Sequence, residues 1–503
     1  RDLRMSRGLG DVYKRQVEAE YKASRPGYLV FLVDGYDDVF GDMLDSERAR
    51  LLEGINRTLE DMIGRGSGFL RRVASGRYIA VVEERQMEQF ANRGYDVLDK
   101  IRALDPSVNL SLSIGIGRGA KTLREAQDMA VQALDMAQGR GGDQAAEMTP
   151  DGFTFYGGVS HGVEKRSKVR SRIVADQLVK LIKEADHVVI MGHRMSDLDA
   201  IGSAEGVLRI CKICDVPAVI AVRRDATLAG SLIDALCKAG QRDDFIDPKD
   251  ALPIISKRTL CIVVDTYQAG LVESKEILEK CGRVAVIDHH RKGVGYIQNP
   301  DLVCHEPYSS SASELVTELL QYVGERDDKP NRVEAEGLLS GIMLDTRDFT
   351  LHTGVRTFEA AAALRRYGAE TERVRQLFDV TMVEYNAKAG LVEKAKMYRN
   401  CAISIGGEVA AEARVAIAQA ANDLLTIQGV DASFVAVQVG TGVNVSARSL
   451  GAVNVQVIME SLGGGGHQTM AAAQLKHITP EAARSRIEGA IDKYYASQKK
   501  GRC

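Results

Sequence analysis

Four short apolar runs between residues 173 and 350 constrain the fold of this chain more than any other feature. The runs HVVIMGH, PAVIAV, TLCIVVDT and VAVIDHH are rich in valine and isoleucine, end in polar residues, and alternate with amphipathic stretches. Continuous apolar strands are what a parallel sheet covered on both faces requires. We therefore predict an α/β domain with a parallel sheet in this region.

Acids and histidines follow three of these runs. In chain order they are His193, Asp197, Asp199, Asp265, Asp288, His289 and His290. A further acid, Asp345, ends the apolar helical run EAEGLLSGIMLD. Functional groups collect at the carboxyl ends of the strands in a parallel α/β sheet, so we expect these side chains to share one edge.

A metal centre explains this set of residues better than separate structural roles. A single acid or histidine at a strand end is ordinarily capped or solvated, whereas several buried together leave unpaired charge that is costly. Few cations are adjacent in sequence, namely Arg194, Arg291 and Arg347. Carboxylates and imidazoles without thiolates suit manganese or a similar divalent ion, and two ions that share one carboxylate would clamp a phosphodiester. We therefore predict a site for two divalent ions, with Mn²⁺ preferred.

The stretches HRMSDLD, VVDT, IDHH and GIMLDTRDF resemble, in order and spacing, the motifs of the DHH phosphoesterase superfamily. By that resemblance the metal ligands are His193, Asp197, Asp199, Asp265, His289 and Asp345. His193 and Asp197 would hold one ion, the remaining ligands the other, and Asp265 would bridge both. His290 would lie beside the phosphate and Asp288 would orient its neighbours, so that Asp265, Asp288 and His290 are the expected catalytic residues.

The stretch SLGGGGHQTMAAA follows NVSARSLGAVNVQ, and the pair resembles the DHHA1 substrate domain. The substrate-binding residues implied are Ser446, Arg448, Ser449, Gly463, Gly464, Gly465, Gly466 and His467. Glycine amides can cradle a phosphate, to which His467 can donate a hydrogen bond and Arg448 a fork of donors. A flexible turn explains the glycine run alone about as well, so the prediction depends on the order of the two motifs.

Residues 26–155 resemble a GGDEF domain of α+β type, through LSIGIG and AVQALDMAQGRGGDQ. Where that family has its Gly-Gly-Asp-Glu-Phe turn, this chain reads ASGRY, Ala74 to Tyr78, and Leu32 replaces the first metal-binding acid. A nucleotidyl cyclase needs these carboxylates to hold metal ions on the triphosphate. We therefore predict a degenerate domain that makes no cyclic dinucleotide.

We predict a multidomain α/β protein. The expected parts are a leader or fragment edge (1–25), a degenerate GGDEF domain (26–155), a linker (156–172), a parallel-sheet α/β DHH domain (173–350), a helical connector (351–395) and a smaller α/β DHHA1 domain (396–500). In the last part, ISIGGEVAAEARVAIAQ, SFVAVQV and GVNVSARS are expected to be strands, and ITPEAARSRIEGAIDKYY a helix. Thr479 would be the N-cap of that helix, with Pro480 at its first position.

This combination of domains resembles the GdpP-type family of bacterial cyclic di-AMP phosphodiesterases. The resemblance implies hydrolysis of cyclic di-AMP to linear pApA by metal-activated water, in second-messenger signalling. Three alternatives stay open: an oligoribonuclease or 3′-phosphoadenosine phosphatase, a nucleotide-binding regulatory module without turnover, and a diguanylate cyclase. The degenerate GGDEF domain argues against the first, the intact metal set against the second and the lost acids against the third.

Composition bears on partners and location. A formal net charge of −3 leaves no basic footprint for long nucleic acid, so we expect a small cyclic dinucleotide as the partner. Eight scattered cysteines suit a reducing cytosol, and the CxxC of Cys211 and Cys214 lies in an apolar helical pattern. No apolar run reaches about 18 residues. The family carries membrane helices and a PAS domain upstream, so we expect this chain to be N-terminally truncated. We expect the full-length protein to be anchored in the cell membrane, with this region facing the cytoplasm. We also expect a homodimer.

Overall fold

A computed structural model describes residues 16–41, 43–64, 68–108, 110–157, 168–293, 295–325, 328–379, 381–408, 415–466 and 469–500. The chain divides into two compact units, which we call unit 1 (Arg1–Leu377) and unit 2 (Phe378–Cys503). Unit 1 contains two six-stranded sheets and unit 2 contains a third. In the described part of the chain, no helix is both long and apolar enough to cross a bilayer.

The first sheet of unit 1 has the order β2-β3-β1-β4-β5-β6. Its strands are β1 (Pro26–Val33), β2 (Gly68–Ala74), β3 (Arg77–Glu83), β4 (Leu112–Gly117), β5 (Gln144–Thr149) and β6 (Gly152–Gly157). Its helices are α1 (residues 16–23), α2 (Tyr36–Phe40), α3 (Asp45–Ile63), α4 (Glu84–Asn92), α5 (Val97–Arg102) and α6 (Leu123–Gly139). Strand β1 is antiparallel to both β3 and β4, while β4 and β5 are parallel. This is the α+β architecture that the sequence predicts.

The second sheet of unit 1 has the order β12-β11-β10-β7-β8-β9, and all its strand pairs are parallel. Its strands are β7 (Val188–Met191), β8 (Ala218–Ala221), β9 (Phe245–Ile246), β10 (Leu260–Val264), β11 (Arg283–Asp288) and β12 (Leu302–His305). Its helices are α7 (Lys168–Glu184), α8 (Leu198–Ile213), α9 (Gly230–Leu236), α10 (Pro248–Ala251), α11 (Lys275–Lys280), α12 (Ala312–Leu320), α13 (Arg332–Thr346), α14 (Val355–Arg366) and α15 (Thr371–Gln376). The predicted parallel sheet is therefore confirmed.

The central strands of this sheet explain why the apolar runs are continuous. Every residue of β7 and β10 is buried, so both faces of these strands are covered. Burial on both faces removes the alternation of polar and apolar residues that a half-exposed strand would show. Because β10 is parallel to both β7 and β11, the carboxyl ends of these three strands lie at the same edge of the sheet.

Unit 2 has a mixed sheet of order β13-β14-β15-β16-β18-β17. Its strands are β13 (Lys396–Tyr398), β14 (Cys401–Glu408), β15 (Ala432–Val439), β16 (Gly442–Ser449), β17 (Gly465–Gly466) and β18 (Met470–Leu475). Its helices are α16 (Met382–Glu393), α17 (Val415–Leu424), α18 (Val455–Glu460) and α19 (Pro480–Lys500). Helix α19 begins at Pro480, and the Thr479 hydroxyl accepts a hydrogen bond from the Ala482 N–H at 3.3 Å, so the predicted N-cap is confirmed.

One strand prediction in unit 2 is wrong in its second half. The stretch ISIGGEVAAEARVAIAQ begins in β14, but from Val415 onwards it forms α17. The buried residues Ala416, Ile417, Ala420 and Leu424 recur at the three- and four-residue spacing of a helix. Small alanines obscure that period, because they are compatible with either structure.

The predicted domain boundaries lie close to changes in structure. Strand β6 ends at Gly157, residues 158–167 lie outside the described part of the chain, and α7 begins at Lys168, inside the predicted linker. The predicted connector, 351–395, consists mainly of α14, α15 and α16 and contains the division between the two units. The exact boundaries stay predictions.

Candidate metal centre

The residues predicted to bind metal lie at the carboxyl edge of the parallel sheet. His193 follows β7, and Asp197 is the N-cap of α8, where its carboxylate accepts hydrogen bonds from the Asp199 and Ala200 N–H groups at 3.0 and 3.1 Å. Asp265 follows β10 directly, and Asp288 is the last residue of β11. Asp199 lies in the first turn of α8, His289 follows β11, and Asp345 lies in the last turn of α13. Asp288 and His290 are not predicted ligands; they are predicted to act beside the metal ions.

The side chains form two clusters that share Asp265. Groups of potential ligand atoms within 4.8 Å of one another are His193, Asp197 and Asp265 in the first cluster, and Asp199, Asp265, His289 and Asp345 in the second. A third group that meets the same criterion, Asp265, His289 and His290, overlaps the second cluster. His193 Nε2 lies 3.4 Å from one Asp265 oxygen and 3.8 Å from Asp197. His289 Nε2 lies 3.0 Å from Asp345, 3.4 Å from the other Asp265 oxygen and 3.9 Å from Asp199. The structure thus brings all six predicted ligands together.

The backbone at Asp265 turns its carboxylate between the two clusters. Its N–H still donates to the Ile287 carbonyl at 2.9 Å, which continues the pairing of β10 with β11. Its φ of 57° lies in the left-handed region, which aspartate tolerates better than most residues. Strained backbone of this kind persists where the surrounding structure requires it, often at functional sites.

Asp199 is held in place by the start of α12. It is completely buried, and its two carboxylate oxygens accept hydrogen bonds from the Ala312 and Ser313 N–H groups at 2.7 and 2.8 Å. Burial, followed by the charges of Asp265 and Asp345, raises the pKa of Asp199 well above its usual value. The helix N-terminus compensates part of this cost.

The donor set fits divalent cations. Asp265 Oδ1 and His289 Nε2 are buried, and no contact of either atom has hydrogen-bond geometry. These two atoms contact each other and their neighbours as ion pairs only, and a buried polar atom that makes no hydrogen bond costs about 1–3 kcal/mol. Burial lowers the pKa of His193, but the carboxylates of Asp197 and Asp265 outweigh it and raise that pKa to about 11. The negative charge that attracts a proton so strongly would equally attract a metal ion, and carboxylate and imidazole are ligands of Mn²⁺-like ions.

A second layer of contacts orients His290. Asp288 is completely buried and accepts from the His290 N–H at 3.2 Å, while the His290 ring Nδ1 lies 2.8 Å from the same carboxylate oxygen. Burial raises the pKa of Asp288, but the adjacent histidines outweigh it and lower that pKa. His305, at the end of β12, contacts the His290 carbonyl through Nε2 at 2.6 Å. His305 was not predicted from the sequence, where its only signal is a histidine at the end of the short run LVCH.

In unit 2 the structure brings only some of the predicted substrate-binding residues together. Ser446 and Arg448 lie on the same face of β16, and an Arg448 guanidinium N–H donates to the Ser446 hydroxyl at 3.1 Å. Ser449 is on the opposite face, because side chains alternate along a strand. It is buried and bonded to the Val453 carbonyl at 2.6 Å and the Gly451 N–H at 3.0 Å. The prediction for Ser449 therefore needs correction, since this side chain stabilises a turn.

The predicted phosphate loop in unit 2 forms the edge of the sheet. Gly465 and Gly466 form β17, which pairs with β18. A Cβ at Gly464 would lie 2.1 Å from the Ala472 carbonyl, and one at Gly466 would lie 2.4 Å from the Ala471 Cα, so close packing requires these two glycines. Gly463 precedes them with a φ of 80°. His467 lies outside the described residues.

The degenerate GGDEF site lacks the carboxylate set of a metal site. Leu32 pairs with Arg77 across β1 and β3, beside the turn that contains Ser75 and Gly76. The nearby Asp34 accepts hydrogen bonds from the Ser111 and Ser113 hydroxyls at 2.8 and 2.6 Å and from the Asp143 N–H at 3.0 Å. Among the described residues, clusters of potential metal ligands occur only in the DHH region.

Comparisons with known proteins agree with this arrangement. Three family models match: the GGDEF domain of cyclic-di-AMP phosphodiesterase GdpP-like proteins (residues 31–152), the N-terminal domain of the DHH family (187–342) and the DHHA1 domain (408–495). The cyclic-di-AMP phosphodiesterase GdpP of Geobacillus thermodenitrificans is 41% identical over 96% of this chain and 75% of its own length. The Bacillus subtilis protein of the same name is 39% identical over 95% of this chain and 74% of its own length.

A solved structure shares the fold of about two thirds of this chain. The crystal structure of an exopolyphosphatase-related protein from Bacteroides fragilis superposes with a TM-score of 0.56 at 21% sequence identity. The match covers 65% of this chain and 98% of that protein. At this identity the likeness shows the fold alone. The three family models confirm the domain resemblances that the sequence motifs indicate.

Proposed function

The chain belongs to the GdpP-like cyclic-di-AMP phosphodiesterase family, and from that premise we propose that it hydrolyses cyclic di-AMP to linear pApA. The observation that carries the proposal is the pair of ligand clusters joined by Asp265. A binding module without turnover has no need of two buried clusters that share one carboxylate. A phosphodiesterase uses such a pair on the two sides of the phosphate.

Two divalent ions, with Mn²⁺ preferred, are the proposed cofactors. His193 and Asp197 would hold one ion, Asp199, His289 and Asp345 the other, and Asp265 would contact both. When bound, such ions supply a Lewis acid for phosphoryl oxygens and make water easier to ionise at neutral pH. The donors are carboxylates and imidazoles without a thiolate, which favours this class of ion over structural zinc.

Protein groups around the clusters orient the reacting phosphate. Asp199 cannot rotate, because both its oxygens accept hydrogen bonds from α12. His290 is held on one side by Asp288 and on its carbonyl by His305, so its ring has a fixed orientation for a hydrogen bond to a phosphate oxygen. Fixed donors and ligands of this kind lower the barrier because their orientation is established before the substrate binds.

Unit 2 is the proposed substrate-binding part. Arg448 offers a guanidinium fork to a phosphate, and Ser446 lies beside it on the same face of β16. Gly463, Gly464, Gly465, Gly466 and His467 complete the proposed set. A homodimer, and attachment of the full-length protein to the cell membrane with this region facing the cytoplasm, also stay proposals.

The proposed function is tested by comparing substrates on the same metal-loaded protein. We expect cyclic di-AMP to be cleaved to pApA with Mn²⁺, faster than cyclic di-GMP and faster than pApA is broken down. A preference for short oligoribonucleotides or 3′-phosphoadenosine 5′-phosphate would instead support the other DHH–DHHA1 activities. Tight binding of cyclic di-AMP without cleavage would support a regulatory module.

The substrate role of unit 2 is tested with Arg448→Ala. We expect kcat/KM for cyclic di-AMP to fall by about tenfold or more, equivalent to about 1.4 kcal/mol of transition-state stabilisation, with little effect on bis(p-nitrophenyl) phosphate. Arg486→Ala, which removes an exposed arginine of α19, is the matched control. Equal losses on both substrates would show that Arg448 serves the fold or the catalytic centre rather than substrate binding.

A further inference from the structure

Lys292 is a buried lysine that the metal centre itself does not use. It follows His290 by two residues, and its side chain is only 6% exposed. Its ammonium lies 3.9 Å from the centre of the Tyr296 ring and 5.0 Å from that of Tyr267. Its ion-pair partner is Asp135, which lies 157 positions earlier in the sequence, on helix α6 of the degenerate GGDEF domain.

The backbone makes a second contact between the same two segments. The Lys292 N–H donates to the carbonyl of Gly139, the last residue of α6, at 2.7 Å. A Cβ at Gly139 would lie 2.7 Å from two carbons of the Lys292 side chain, so the helix end approaches this side chain as closely as a glycine allows. The last turn of α6 is thus fixed against the segment that follows His289 and His290.

The rings around Lys292 connect it with the metal ligands. Tyr267 follows Asp265 by two residues, and its carbonyl accepts from the Ile297 N–H at 2.9 Å. The Tyr267 ring lies 5.4 Å from that of His305, which contacts the His290 carbonyl. Lys292 therefore joins the loop after β10, which begins with Asp265, to the loop after β11, which begins with His289.

A methionine would fill the space between the two tyrosine rings without the cost of burying a charge. Removing an ammonium from water costs several kcal/mol unless a partner with good geometry offsets it, and one attested use of a buried ion pair is to specify a single register. Here the pair specifies how α6 meets the loops that hold metal ligands on both sides of the centre. This requirement gives the degenerate domain a role that needs none of its lost acids.

We propose that helix α6 of the GGDEF domain is a positioning element of the phosphodiesterase centre and that it acts through Lys292. Asp135 and the Gly139 carbonyl hold Lys292, Lys292 holds the two tyrosines, and these keep the Asp265 and His289–His290 loops at the spacing the metal ions require. The catalytic consequence rests on the proposed function. The effect on the geometry of the metal site does not depend on which substrate the protein cleaves.

The test uses Asp135→Asn in the full chain, because Asp135 is 58% exposed and lies outside the metal centre. We expect kcat for cyclic di-AMP to fall by about tenfold with KM within about twofold, since a small displacement of ligands affects the reaction more than binding. The electron paramagnetic resonance spectrum of bound Mn²⁺ should change, while the melting temperature should not. Asp128→Asn, at an exposed position of the same helix, is the matched control and should change neither quantity.

A double-mutant cycle with Lys292→Met shows whether α6 acts through Lys292. The double variant should be no slower than Lys292→Met alone, because the ion pair is already lost in that variant. Wild-type kcat and an unchanged Mn²⁺ spectrum in Asp135→Asn would overturn the inference, and so would additive losses in the double variant. If the wild-type protein does not cleave cyclic di-AMP, the proposed function fails, and the Mn²⁺ spectra alone decide whether α6 positions the metal site.

Discussion

At the scale of the residue, the position of Asp265 could be predicted from the sequence, but its backbone conformation could not. The end of a buried parallel strand places an acid at the active edge, and this could be predicted from TLCIVVDT. The left-handed φ of 57° that directs its carboxylate between two clusters has no sequence signal. Lys292 and His305 were not predicted because their partners, Asp135 and the His290 carbonyl, are distant in sequence.

Asp265→Asn should abolish hydrolysis with little loss of stability. Loss of an outer partner of a metal ligand costs about 10- to 100-fold, so loss of a shared ligand should cost at least about 100-fold in kcat. Asparagine keeps the size of the side chain and tolerates the left-handed backbone. Metal content and turnover are measured on the same preparation, with the exposed Asp225→Asn as control. Near-wild-type turnover with unchanged metal content would contradict the shared-ligand assignment.

Glu205 should make stability depend on pH at a distance from the metal centre. It is buried in α8, where Gln241 Nε2 donates to it at 2.6 Å and to Glu334 at 2.9 Å. Burial, followed by the charge of Glu334, raises the pKa of Glu205 from 4.5 to about 8. Because the folded pKa exceeds the unfolded one, the destabilising contribution of Glu205 is absent below pH 4.5 and complete above about pH 8.

Glu205→Gln should therefore raise the free energy of unfolding at high pH and leave it nearly unchanged at low pH. We expect a gain of about 2 kcal/mol or more near pH 8.5, and little gain near pH 4.5, in urea denaturation. Glu334→Gln is the contrasting variant, because that carboxylate accepts from Arg209 Nε at 2.7 Å and its loss should destabilise the fold. An equal effect of Glu205→Gln at both pH values would refute the assignment.

At the scale of the element, helix α13 packs so closely on α8 that only a glycine at position 341 leaves room for the proposed metal ligand Asp199. A Cβ at Gly341 would lie 2.6 Å from Asp199 Oδ1 and 2.8 Å from the Asp199 Cα. A Cβ at Gly206, on α8, would lie 2.5 Å from a methyl group of Val316, which is not a metal ligand. The two glycines therefore serve different purposes within the same layer of helices.

Gly341→Ala should reduce metal affinity as well as stability, whereas Gly206→Ala should reduce stability alone. Overpacking of this kind costs typically about 1–3 kcal/mol in either variant. In Gly341→Ala the displaced atoms belong to Asp199 and to the Ser313 hydroxyl, which a Cβ would approach to 2.3 Å. Because the Ser313 N–H also holds the Asp199 carboxylate, we expect at least about tenfold weaker metal binding by calorimetry. Equal metal affinity in the two variants, at equal stability, would show that α13 does not constrain the site.

An element could be predicted well where it is long and where its apolar residues fit the period of a strand or of a helix but not both. The valine- and isoleucine-rich runs of β10 and β11 are unambiguous, because buried parallel strands need them. Strand β9 has only two residues, Phe245 and Ile246, too few to show a period. Helix α17 was predicted as a strand because its alanines fit both periods.

At the scale of the whole molecule, the GGDEF and DHH regions lie within one compact unit. The degenerate domain has lost the acids for synthesis, and Asp34, which remains, is bonded to Ser111 and Ser113. The domain keeps its fold, and the last turns of its helix α6 contact Lys292 through Asp135 and the Gly139 carbonyl. Domain identity could be predicted from motifs, but this contact could not. Asp135 lies in the stretch AVQALDMAQGRGGDQ that carries the GGDEF resemblance, and nothing in that stretch indicates a partner 157 positions later.

The full chain should synthesise no cyclic dinucleotide. Position 32 is a leucine and the turn from Ala74 to Tyr78 contains no acid, so the carboxylates that a nucleotidyl cyclase uses to hold ions on a triphosphate are missing at these positions. Incubation with GTP or ATP and Mg²⁺ or Mn²⁺, followed by chromatography of the products, checks this. The Asp265→Asn variant is used, so that product would not be hydrolysed as it forms. Any cyclic di-GMP or cyclic di-AMP would contradict the account of this domain.

The release of pApA from cyclic di-AMP, followed while metal is withdrawn from the intact chain and then restored, tests the central claim most directly. We predict that the metal-free protein is inactive, that Mn²⁺ restores turnover, and that activity is complete at two ions per chain. Hydrolysis that survives complete removal of metal would contradict the account, as would a protein that binds two Mn²⁺ ions and still leaves cyclic di-AMP intact.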